Sequence, residues 1–148
     1  MRGAIVSRSA RRSYQDEPVS TRLKLSALWV SMLFVFAYVD LFSLYRPDFR
    51  ADVESGRIGG FDIGQTFLLL TTLYIVLPSL MVFVSLVLPP AVNRMVSLIL
   101  AGFYGLTILG GAIGEWNYYI VGSVIEIALL GGICHYAWTW PEVQRTPD

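Results

Sequence analysis

Four long, nearly uncharged apolar runs constrain this chain more than anything else in it: Leu25 to Tyr45, Thr66 to Leu88, Val92 to Ile113 and Tyr118 to Trp138. Each supplies the roughly 20 residues that a helix rising ~1.5 Å per residue needs to cross a hydrocarbon layer about 30 Å thick. No water reaches the backbone there, so each run must satisfy its own N–H and C=O groups, which a helix does. The expectation is an all-α polytopic membrane protein, a four-transmembrane-helix bundle. Composition agrees. Only 15% of the residues are charged and the mean hydropathy is +0.58, whereas a soluble domain keeps about a quarter charged. A net charge of zero leaves no basic field for a nucleic-acid partner. The boundaries predict a disordered basic cytoplasmic tail over 1–23, a membrane domain over 24–141, and a second cytoplasmic tail over 142–148.

Direction follows from basic residues in the flanks. One side collects eight (Arg2, Arg8, Arg11, Arg12, Arg22, Lys24, Arg94 and Arg145) and the other three (Arg46, Arg50 and Arg57). That imbalance predicts both termini in the cytoplasm. Tryptophans are then expected at the edges, Trp29, Trp138 and Trp140 inside and Trp116 outside, with Tyr45, Tyr118 and Tyr119 completing the outer belt. Between the first two spans, Pro47 is suited to open a short interfacial helix over DFRADVES, closed by Gly56. GRIGGFDIG then reads as a turn. This outer segment, 46–65, is either a plain connector, the favoured reading, or a lid over an outward cavity. Pro78 removes the donor for the carbonyl of residue 74 and should bend the second span.

Two acids fall inside the spans, Asp40 and Glu126. Charges there are costly and usually face the bundle interior, so each marks a candidate site. At 1.5 Å per residue, Asp40 lies about 8 Å and Glu126 about 3 Å outward of mid-span. Thr71, Thr72, Tyr74 and Thr107 share that depth, and the inner half offers few polar atoms. These six residues form the candidate polar pocket. With no Lys or Arg at that level, at least one acid of the pair is expected to carry a proton. A proton-linked carrier, a cation site, or a pocket for a lipid or quinone headgroup would use this arrangement. The structural alternative is helix-to-helix hydrogen bonding, which carries slightly more weight on sequence grounds.

Small residues at Ala101, Gly105, Gly110, Gly114, Gly122, Ala128 and Gly132 suit close helix packing, first of span three against span four, then in self-association. Cys134 and His135 are adjacent and point about 100° apart on a helix, so they do not converge on a metal or form a catalytic couple. The chain has one cysteine and one histidine, and no metal or cofactor is expected. No nucleotide loop, HExxH or nucleophile elbow is present, so no catalytic residue is assigned.

The segments KLSALW from Lys24, Asp40 followed by Leu-Phe-Ser, Asn93-Arg94, Glu126 and YAWTWPE from Tyr136 resemble an uncharacterised family of small bacterial four-helix membrane proteins, filed as a domain of unknown function. Together they frame 24–142. The resemblance implies four helices in a bacterial inner membrane and carries no assigned chemistry. More loosely, the architecture resembles the DoxX-like four-helix proteins, some of which are linked to quinone or redox partners. The favoured function is an accessory or homo-oligomeric membrane subunit with an outer-half polar pocket. A proton-linked, cation or small-solute transporter or channel, built as an oligomer on Asp40 and Glu126, is the first alternative. A protein binding lipid or quinone is the second, with a membrane enzyme ranked last. Expected partners are the bilayer, further copies or a larger membrane complex, and a bound lipid or quinone.

Overall fold

A computed structural model describes residues 18–141; the greater part of the first tail and all of the second lie outside the described residues. Five helices and one small hairpin follow in order: α1 (Thr21–Ser43), α2 (Pro47–Glu54), β1 (Arg57–Ile58), β2 (Phe61–Asp62), α3 (Gln65–Val87), α4 (Pro90–Gly111) and α5 (Asn117–Trp138). Ser20 starts α1 a turn earlier than expected, because its hydroxyl accepts the Leu23 N–H and supplies an N-cap. The four long helices are each long and apolar enough to cross a membrane. This is an all-helical polytopic membrane fold.

α1 packs on both α3 and α5, and α5 also packs on α4, while α3 touches α4 only lightly. The helices therefore run in the spatial order α3, α1, α5, α4. One end of the bundle, here the terminal end, carries the start of α1, the end of α5 and the α3–α4 turn. The other, the capped end, carries α2, the hairpin and the α4–α5 turn. Leu25, Trp29 and Met32 of α1, Met81 of α3, Tyr104 of α4, and Leu130 and Ile133 of α5 form the buried core. Leu69, Leu106, Ile99 and Val124 face outward and exposed, as hydrocarbon permits.

Prolines decide how the helices are tied. Pro78, Pro89 and Pro90 have no N–H, so the carbonyls of Tyr74, Ser85 and Leu86, four residues earlier, lose their intrahelical donors. Each is supplied from another helix. Tyr104 of α4 donates its hydroxyl to the Tyr74 carbonyl, Asn93 Nδ2 donates to Ser85 (2.6 Å), and Arg22 Nη1 of α1 donates to Leu86 (2.8 Å). Ser26 adds a bond to the Val82 carbonyl, and Ser97 donates to Asn93 Oδ1. Ser26, Ser85, Asn93 and Ser97 are all buried, which corrects the expectation that the terminal half holds few polar atoms. Trp29 is corrected too. It is fully buried, its ring edge-on to Tyr104, because it shares a face with Ser26 and Met32 that points into the bundle. The aromatic edge of the terminal end is instead Tyr136 under Lys24 and Trp138 under Arg94.

α1 and α5 approach most closely where Gly122 meets Val39. A Cβ at Gly122 would collide with Val39 Cγ2, and one at Gly132 would touch Leu28. Both glycines therefore serve α1 rather than α4. Gly105 faces Ile127 of α5, and Ala101 is buried. Gly110 and Ala128 are exposed, and Gly114 takes a φ of +83° in the α4–α5 turn.

At the capped end, Arg46 joins three elements. It bonds Asp48 of α2 and Glu115 of the α4–α5 turn and lies 4.8 Å over the Trp116 ring. Ser43 and Tyr118 hydroxyls bond beside it (2.9 Å). α2 starts at Pro47 and ends before Gly56 (φ +82°). The following turn is flanked by two short antiparallel strands that the glycine-rich sequence did not signal, Arg57 opposite Asp62 and Ile58 opposite Phe61.

Two measurements check these ties. Tyr104→Phe should lower the stability of the detergent-solubilised protein by about 1–2 kcal/mol, and much less in a Pro78→Ala background where the α3 donor is restored; a thermal-unfolding double-mutant cycle reads the coupling. The Arg46 hydrogen bond holds the Asp48 carboxyl below the usual carboxylate range. That contribution is present above the ordinary carboxylate pKa and lost as pH falls through the lowered one. A carboxyl-carbon NMR titration should show the Asp48 midpoint low, and returned to the ordinary range in Arg46→Gln.

Candidate functional site

The inward stripes of the helices are read from what they bury. On α1 the buried stripe is Trp29, Met32, Val39 and Ser43, with Asp40 exposed beside it. On α5 it is Tyr119, Ser123, Glu126, Leu130; on α3 it is Thr71, Tyr74, Pro78, Met81. The α3 stripe is buried at Pro78 and Met81 and exposed at Thr71, and on α5 Glu126 is 3% exposed and Ser123 is buried.

Glu126 lies within electrostatic range of Asp40, and Tyr74 and Tyr119 lie within range of both. Among the described residues neither acid takes part in an ion pair; the three that form all belong to the capped-end connections. Glu126 Oε1 and Ser123 Oγ are buried without a hydrogen-bond partner, as are Trp29 Nε1 and Ser85 Oγ nearer the terminal end. Buried polar atoms are almost always satisfied, and Glu126 and Ser123 stand one turn apart on a single helix.

The remaining sequence-predicted residues divide. Tyr74 binds Thr107 through their hydroxyls (2.7 Å) and stacks against Tyr104, Phe36 and Phe103. With the Tyr104–Tyr74 carbonyl bond, this makes a tie between α3 and α4 across the seam where their backbones barely touch. Thr71 and Thr72 spend their hydroxyls on the Phe67 and Leu68 carbonyls of their own helix. Thr71 still lines a 290 Å³ hollow with Tyr74, beneath Phe61 of the hairpin. Thr72 lies about 100° further round α3, beside the exposed residues Val76 and Ser79.

Tyr119 and Ser123 share the face of Glu126 by their i, i+4, i+7 spacing, which the sequence shows, although they stand outside the six-residue candidate pocket. Tyr104 was not legible there, since its role depends on a proline 26 residues earlier on another helix. At the opposite end His135 is exposed and packs on Tyr136. Among the described residues, no three His, Cys, Asp or Glu side chains gather as a metal site would require.

A buried acid with a free oxygen can hold a proton, a cation or a hydrogen-bond donor. No match to the chain exists among curated proteins or among solved structures. One family model does match, over residues 16–146, which takes in every element described above. The chain belongs to that family, DUF6326, a family of unknown function.

Proposed function

We propose that the protein is a non-catalytic subunit of a cell membrane, oriented with its termini in the cytoplasm and its capped end outside. It receives a small positively charged or hydrogen-bond-donating group on Glu126. The carrying observation is the buried, unpartnered Oε1 of that residue. In hydrocarbon an uncompensated carboxyl is costly, and a residue serving only as helix glue would have its bond made already. The glue in this bundle is elsewhere, in Tyr74, Tyr104, Thr107 and Asn93. Asp40, exposed and nearer the capped end, would meet an incoming cation first. The excess of basic residues at the terminal end supports the orientation.

A binding role is favoured over transport through a single copy. Beneath Glu126 the bundle is filled by Leu130, Met32, Trp29, Ile133 and Met81, all buried, and the side chains of Ser26, Asn93 and Ser97 nearer the terminal end are engaged with α3 carbonyls and with one another. The tests follow the same logic. Glu126→Met removes an unsatisfied polar group, so it should raise thermal stability by about 1–3 kcal/mol in detergent; a loss of stability would make Glu126 a structural tie and sink the proposal. Dicyclohexylcarbodiimide, which attacks protonated carboxyls in apolar surroundings, should modify Glu126 in vesicles, and peptide mass spectrometry locates the adduct. A pH gradient across vesicles holding the protein should not dissipate faster than across empty ones. Proton flux lost in Glu126→Gln would favour the transport reading instead.

A further inference from the structure

A second recess lies on the opposite side of the α1–α5 contact, facing the bilayer. Tyr38 and Phe42 of α1 and Val121 and Ile125 of α5 wall a groove of about 540 Å³, and Gly122 forms part of its floor. It is almost entirely apolar and runs from Phe42 down to Phe34, about 12 Å at 1.5 Å per residue. At its top it passes into a further hollow of about 320 Å³ lined by Phe42, Tyr45, Arg46, Trp116 and Tyr118. Phe42 and Tyr118 line both, so the two hollows adjoin along the protein surface and together form a channel. Its lower part lies within the spans. Its upper part lies beyond the end of α1 at Ser43 and before the start of α5 at Asn117, the level of lipid headgroups.

Charge selects the occupant. Arg46 is the one cation lining the upper hollow, and it is already bound by two carboxylates, Asp48 and Glu115, with its side chain 12% exposed. Asp48 is 52% and Glu115 32% exposed, so the local excess is one negative charge and the accessible groups are acidic. Tyr45, 76% exposed, and Trp116, 51% exposed, add two aromatic faces. Aromatic walls with a neighbouring carboxylate attract ammonium groups and leave a bare anion unrewarded.

We propose that this channel binds a phospholipid whose head ends in an ammonium group. One acyl chain lies between Tyr38 and Ile125, and the ammonium lies among Tyr45, Trp116 and the Glu115 carboxylate. The site is independent of the Glu126 site, from which the α1–α5 contact separates it.

The test uses the full chain in mixed micelles holding equal amounts of dioleoyl phosphatidylethanolamine, phosphatidylcholine and phosphatidylglycerol, analysed by native mass spectrometry. Either ammonium lipid should be retained over phosphatidylglycerol by about five-fold, as a cation–aromatic contact at an exposed site permits. Val121→Trp, which fills the groove from an exposed wall position, and Tyr45→Ala, which removes one aromatic face, should each bring that ratio close to one. Leu106→Ala, on an exposed surface of α4, should leave it unchanged. Equal retention of all three lipids, or preference surviving in both Val121→Trp and Tyr45→Ala, would overturn the proposal. A lipid-free dimer abolished by Val121→Trp would also overturn it and reassign the groove to a second copy of the chain.

Discussion

In a medium that offers no hydrogen bonds, a carbonyl without a donor must find one in the protein, and this bundle is organised around three such carbonyls. Pro78 within α3, and Pro89 and Pro90 just beyond its end, release the α3 carbonyls of Tyr74, Ser85 and Leu86, and Tyr104, Asn93 and Arg22 answer them from elsewhere in the fold. Two of the donors come from α4, whose backbone has little contact with α3. Apolar packing alone would hold that pair weakly, because lipid tails are as favourable a neighbour as leucine. The tie is polar because the proline made it necessary. It also sets where Tyr74 and Tyr104 stand, and Tyr74 lies within electrostatic range of Glu126.

Much of the architecture was legible from hydropathy because span length is a one-dimensional property. The four spans, the short helix opened by Pro47 and its termination at Gly56 follow from local chemistry, and the helices match within a few residues. What sequence did not convey was azimuth. Trp29 has the composition and depth of an interfacial anchor, yet its turn of the helix points inward. Ser26, Ser85, Asn93 and Ser97 look like incidental small polar residues until the prolines opposite them are placed.

The site shows the same division. Depth arithmetic brought Asp40 and Glu126 to similar levels, but helical phase separates them in burial: Glu126 lies on the buried face of α5, whereas Asp40 is exposed beside the buried Val39 of α1. Depth alone also enrolled Thr72, which lies on the other side of α3, and Tyr74 and Thr107, which are occupied with each other. Conversely, Ser123 stands one turn from Glu126 on the same stripe and shares its unsatisfied state. A spacing rule applied outward from the acid finds it, whereas a search by depth for hydroxyls and rings passes over it.

Gly122 and Val39 bear on the chemistry as well as on the packing. Val39 immediately precedes Asp40, and Gly122 stands one turn before Glu126, so their contact is the gauge that fixes how far apart the two carboxyls sit. A larger residue at 122 would widen that gap with neither acid replaced. Relatives that keep both acids and carry a side chain at this position are therefore expected to have trimmed residue 39 in compensation, so that the two positions drift together across the lineage.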